Sequence, residues 1–371
     1  MKTHQFFRTI ISGFLSCLLT VTCFLFPWSI ITPSVYATEG SDWPTFHQNE
    51  SRTGVSSELI QVEGLIEQWR FQTGSSISSS PVVQNNIAYI VADNRKVYAI
   101  DTAEGEKIWE TEERFLNYPL PYGAPTYSNG KLYFSTGGSS DTPSYMYCYR
   151  DDGTELWKFV AYGQITTSSC LVYGDKVFFG TSTEFLYVLN AAGSELERIP
   201  LNGSVISSPI IGAGRVFAVT SGGRLYAYDY SDLTPLFDRN GIQLPIGTND
   251  ECKSSPVYLD GVVYISTRSA SEKGEIFAIN AYTGEIIWRS GQIGNFISTP
   301  AVTQNYLFVG DEDGKMLAIQ RTDGRMKWKF PVPGRVVSSP AVTGEYVVFG
   351  GGDGKFYALE AETGKEVFST L

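Results

Sequence analysis

The chain has 371 residues, of which 18% are charged and 14% aromatic, with 37 glycines. Few charges with abundant Tyr, Phe, Val and Gly suit a β-rich protein with many tight turns. A formal net charge of −11 with no run of Lys and Arg excludes a nucleic-acid surface, which needs a basic stripe.

Residues 1–37 come first and stand apart from the fold. Lys2 and Arg8 form a positive start, Ile10 to Phe26 is almost continuously apolar, and Val35-Tyr36-Ala37 offers small residues at the −3 and −1 positions of a cleavage site. That is the layout of a secretory signal peptide, so cleavage near Ala37 and export to the periplasm or cell exterior are expected. The other reading is an uncleaved anchor, because the apolar stretch is long, and it offers the one expected membrane contact. Neither Cys17 nor Cys23 follows a lipoprotein-type small-residue box. Beyond the signal, Cys148, Cys170 and Cys252 include no Cys-x-x-Cys pair and no neighbouring histidines, which argues against a disulfide scaffold or zinc site. Three buried thiols are expected, with one Cys148–Cys170 bridge as the alternative.

A leader, residues 38–64, follows, with Asp42-Trp43-Pro44-Thr45-Phe46-His47 and Arg52-Thr53-Gly54 outside any repeat. From residue 65 to 371 the chain is periodic. Ala278-x-Asn280-x-x-Thr283-Gly284-x-x-x-Trp288 recurs 40 residues later as Ala318, Asp323, Gly324 and Trp328, and again as Ala358, Thr363, Gly364 and Phe368. Upstream, Trp109 follows Ala99, Asp101 and Gly105, and Trp69 stands 40 residues before it. Each unit opens on a Ser-rich element, Ser79-Ser80-Pro81 being the first, and continues through three more β-rich runs separated by Gly, Asn or Asp turns. One unit is thus four strands, A to D. A four-stranded sheet cannot bury both faces alone, and such units stacked around an axis make a β-propeller.

Seven units predict an all-β, seven-bladed propeller of antiparallel blades, with eight blades as the alternative. An N-terminal strand is expected to close the ring: Leu65–Phe71, carrying Trp69, is assigned the outer edge of the last blade, leaving 366–370 outside it. Five of the six tryptophans beyond the signal, Trp69, Trp109, Trp157, Trp288 and Trp328, sit in register. They are read as docking faces between blades, each with an indole N–H that needs a partner, and not as a ligand-stacking box.

Departures from the repeat are where function is sought. The excess length falls on Glu112–Tyr122, Gly138–Tyr145, Asp238–Lys253 and Arg268–Gly274. These are D–A and B–C connections of blades 2 and 5, which in an up-and-down blade emerge on one face. Tyr118, Tyr122, Asp250, Glu251, Lys253 and Arg268 are the candidate binding residues, with tolerated loop drift as the plain alternative. Asp311-Glu312-Asp313-Gly314 is acidic but reads as a hairpin turn with Asp-Gly at its tip. No Gly-x-Ser-x-Gly element accompanies His47, the one histidine beyond the signal. No catalytic, cofactor or metal residue is therefore assigned.

The Thr-Gly-x-x-x-Trp element, the Ser-Ser-Pro strand and the Trp43-Pro-Thr-Phe46…Arg52-Thr-Gly54 leader together resemble the PQQ-like β-propeller repeat family. That resemblance implies either a BamB-like scaffold of outer-membrane assembly or a PQQ-dependent quinoprotein dehydrogenase. The dehydrogenases of the family use a vicinal disulfide and a calcium site of carboxylates, and no two cysteines are adjacent here. The reading adopted is an exported, monomeric, non-enzymatic platform for a protein partner or envelope polymer, with the dehydrogenase as the alternative.

Overall fold

A computed structural model describes residues 42–56, 67–111, 123–137, 143–165, 168–270 and 273–370. The described residues form six four-stranded sheets and one five-stranded sheet, and contain no α-helix. Each sheet is one blade of a seven-bladed propeller, its strands A to D antiparallel and in chain order.

The repeat letters explain the blade. Strand C places Ala278 opposite Trp288, Ala318 opposite Trp328 and Ala358 opposite Phe368, and each pair is followed by a register shift. A small residue opposite a large one leaves room for the ring, and the bulge turns the outer strand toward its neighbour. In the C–D turn, Asn280 Oδ1 accepts hydrogen bonds from the amides of Tyr282 and Thr283, and the amide of Gly284 donates to the Asn280 carbonyl. Gly284 has φ +76°, a left-handed conformation in which a Cβ is strained.

The Ser-Ser-Pro element has two separable jobs. The first hydroxyl stays within its blade: Ser79, Ser207, Ser298 and Ser338 donate to the carbonyls of Val91, Val219, Gly310 and Gly350, all at 2.8 Å. The second links blades. The amide of Ser169 donates to Ser208 Oγ, that of Ser208 to Ser255, that of Ser255 to Thr299 and that of Thr299 to Ser339, at 2.9–3.0 Å. Buried backbone groups at the start of the inner strands are thereby satisfied without water.

Apolar side chains of adjacent blades interdigitate. Val257, Tyr264 and Ala278 of blade 5, for example, share one cluster with Val302, Leu307 and Leu317 of blade 6. Cys148, Cys170 and Cys252 lie in these interiors as free thiols, so Cys148 and Cys170 are not bridged. Burial pushes their pKa values up, to about 11, 11 and 12. Only the thiolate is nucleophilic. In the chain without residues 1–37, a polar thiol reagent is expected to label no cysteine before unfolding and three after it; rapid labelling of the folded chain would contradict the burial.

Two expectations are corrected. Glu366–Thr370 is itself the outer strand of the last blade, pairing with Phe356–Glu360, so Leu65–Phe71 does not hold that edge. Glu67–Phe71, its described part, is not a strand. The N-terminal strand of the closed ring is Val55–Ser56, which adds in parallel to the inner edge of the last blade, Val55 beside Val342. Trp69 nevertheless serves the seam between blades 7 and 1. Its indole N–H donates to the Thr102 carbonyl at 2.7 Å, and it packs with Val367 and Phe368 in a cluster that also contains Ile90 and Ile100. Second, Asp238–Lys253 is not one loop. Asp238–Gly241 is a turn inside the outer edge of blade 4, which resumes as Ile242–Gln243 beside Arg224 and Leu225. Phe237, expected on a regular strand D, sits ahead of that turn and packs near Gly284.

Candidate binding face

The strongest non-repeat feature on the loop side of the ring is built on blade 5. Its D–A and B–C connections meet: the amide of Glu251 donates to the Arg268 carbonyl and that of Arg268 to the Glu251 carbonyl, both at 2.8 Å. The B–C connection also reaches the next blade, Gly274 bridging Gly294. Loop excess at separate places in the sequence is thereby gathered into one rim.

Side chains continue the rim across three blades. Lys253 Nζ lies 3.0 Å from Glu251, whose carboxylate lies 3.5 Å from Arg268. Arg268 Nε donates at 2.5 Å to Glu312 on blade 6, and Arg335, from the connection into blade 7, pairs with the other Glu312 oxygen. Lys273 and Lys315 each lie 3.5 Å from Asp313. Asp250 holds the preceding turn by accepting the Gly247 amide at 2.9 Å. Exposed ion pairs contribute little individually, but Glu312 is mostly sheltered and gathers two guanidinium groups, which fixes both loops.

Glu251, Lys253 and Arg268 are thus brought together, with Asp250 on the adjoining turn. Tyr118 and Tyr122, and with them the whole Glu112–Tyr122 connection, lie outside the described residues, as do residues 138–142. The hub, Glu312, was hidden because it occupies an ordinary hairpin position of the repeat. Its neighbour Asp311 is fully buried; its Oδ1 accepts the Lys315 amide at 2.7 Å, and burial raises its pKa.

The five tryptophans share one geometry. Trp109, Trp157, Trp288 and Trp328 donate to the carbonyls of Asp151, Ala191, Arg321 and Ala361 on the following blade, as Trp69 does to Thr102. Each indole covers that blade's turn glycine: a Cβ on Gly105, Gly193, Gly324 or Gly364 would lie 2.5–2.6 Å from it. The rings face neighbouring blades and form no open stacking surface.

The leader fills the axis. Arg52 is completely buried, its guanidinium donating to the carbonyls of Phe46 at 2.7 Å and Cys170 at 3.2 Å. Burial lowers its pKa to about 10. His47 Nδ1 lies 3.2 Å from the Arg52 carbonyl, and burial lowers this histidine to about 3. The acidic residues present do not fit the calcium of the dehydrogenase branch. Asp311 and Asp313 face Lys315, Glu312 faces two arginines, and among the described residues no group of three or more His, Cys, Asp or Glu could hold a metal ion. Calcium requires six to eight oxygen ligands.

Seven blades of this repeat, five of their seams fastened by indole on glycine, define a PQQ-like β-propeller. The family model described as outer membrane protein assembly factor BamB matches residues 66–196, 144–269 and 272–371, and the chain belongs to that family. A curated relative, the outer membrane protein assembly factor BamB of Legionella pneumophila (strain Paris), is 29% identical over 151 residues, covering 40% of this chain and 36% of the relative's length. Among solved structures, BamB from Moraxella catarrhalis has a TM-score of 0.61 at 17% identity, covering 80% of this chain and 84% of that one. Quinohemoprotein alcohol dehydrogenase from Comamonas testosteroni has a TM-score of 0.59 at 14% identity, covering 89% of this chain and 80% of that one. At such identities the likeness shows the fold alone.

Proposed function

We propose that this chain is an exported, non-enzymatic platform at the cell envelope that holds a protein partner of outer-membrane protein assembly on its loop-bearing rim. The observation that carries this reading is the main-chain bridge between Glu251 and Arg268, which joins two separate length excesses into one ordered surface. Function on a shared fold resides in such departures from the repeat. Family membership favours a protein over an envelope polymer, because the family description names protein assembly. Export agrees with the signal-like residues 1–37, and the charged rim suits recognition by electrostatic complementarity.

A photo-crosslinking residue placed at Lys253 in the exporting host tests this. Adducts with outer-membrane assembly proteins are expected there and not from Glu345, on a turn of the opposite face. The reverse pattern would defeat the assignment. Lys253→Glu is expected to weaken capture by several-fold at low salt, with a smaller effect at high salt.

A further inference from the structure

We infer that the inner face of the ring is a binding site for a turn-containing peptide, that residues 43–54 of the chain's own leader are its ligand, and that they seal the axis on the side opposite the rim. The leader visits every blade, almost in blade order. Trp43 exchanges two backbone hydrogen bonds with Val83 of blade 1, and the Pro44 carbonyl accepts from Tyr127 of blade 2. Arg52 reaches the Ser169 and Cys170 carbonyls of blade 3. The carbonyls of Glu50, Ser51, Thr53 and Gly54 then accept from Ile211, Tyr258, Val302 and Val342 of blades 4 to 7.

All these blade donors lie on the inner strands, so seven separate sheets present one circle of amides and carbonyls to a single segment. Main-chain pairing of this kind supplies affinity, and side-chain anchors supply specificity. The anchors are Trp43, buried in the seam cluster of blades 1 and 7, and Arg52 at the axis. A turn holds the segment in shape: the amide of Gly54 donates to the His47 carbonyl, and a Cβ at Gly54 would lie 2.7 Å from His47 Nδ1. The site therefore takes a peptide folded through turns, with Trp-Pro at one end and Arg-Thr-Gly eight residues beyond the proline. Such a segment belongs to the ring by contact, independently of its covalent link.

The test uses the full chain with a protease recognition sequence inserted between Ser56 and Glu67. After cleavage the leader is expected to stay with the ring through gel filtration. The amides of Tyr127, Ile211, Tyr258, Val302 and Val342 should keep their protection from hydrogen exchange. A labelled synthetic peptide of residues 42–56 should exchange into the cleaved protein, and the same peptide carrying Arg52→Ala should compete at least about tenfold less well. This arm needs no variant ring to fold. Departure of the leader from the cleaved chain with those five amides still protected would overturn the inference, as would equal competition by the two peptides.

Discussion

Trp157→Ala and Gly193→Ala are each expected to destabilise the chain by about 2–4 kcal/mol, and the double variant by clearly less than their sum. Trp157 on blade 2 donates its indole N–H to the Ala191 carbonyl of blade 3 at 3.1 Å and covers Gly193. Removing the indole leaves a cavity between blades and an unpaired carbonyl. Gly193 has φ +83°, and a Cβ there would lie 2.5 Å from the indole. A methyl at this position brings both left-handed strain, about 1–2 kcal/mol, and a collision with the ring. When Trp157 is already alanine the collision disappears and only the strain remains. Denaturant unfolding of the four proteins measures the coupling. Strict additivity would show that the glycine is required for backbone conformation alone.

Acidification is expected to destabilise the protein through His47, by about 2 kcal/mol at pH 5 relative to neutral pH. Burial holds this histidine near pKa 3 in the folded chain, against 6.5 when it is exposed. Above pH 6.5 it is neutral in both states and contributes no pH dependence. Between 6.5 and about 3 the unfolded state binds a proton that the folded state refuses, so stability falls by about 1.4 kcal/mol per pH unit. Below that window the loss stops growing. The neighbouring Arg52 guanidinium acts in the same direction. His47→Asn, chosen because asparagine tolerates the φ of +58° found there, should remove this part of the acid slope while the carboxylate contributions remain. Parallel stability–pH curves for the two proteins would refute the assignment.

The blade was legible in the sequence because its determinants are local and repeated. Ala opposite Trp, Asn or Asp over the turn, and a left-handed glycine act within about a dozen residues, so each copy reports the same geometry. What the glycine also does, receiving the indole of the preceding blade, is a contact between units that one unit does not display. Closure was misread for a related reason. Trp69 keeps the register and the docking role of its counterparts, yet Glu67–Phe71 is not a strand, and an indole in register does not reveal whether its backbone is in a ladder. The rim was half legible. Length excess pointed to Glu251 and Arg268, whereas Glu312 and Arg335 join them from positions that look ordinary in their own repeats. Asp238–Gly241 reads as loop in the sequence because a spacing cannot distinguish an insertion between strands from one within a strand. The leader was least legible. It has no period, and most of its bonds are made by main-chain carbonyls, which every residue possesses.

Val55 lies beside Val342, 287 positions later in the chain. The strand at Val55 therefore waits for the seventh blade, although the leader's earlier residues already have partners on blades 1 and 2. Loop-closure entropy must be met across this whole separation before the contact returns anything. Folding should consequently be slow and late in its final step, with both edges of the seam exposed to chaperones or aggregation until then. A chain that stops short of the seventh blade would lose more than one blade's worth of structure, because Gly54–Ser56 would have no inner strand to pair with and the seam to blade 1 would stay open.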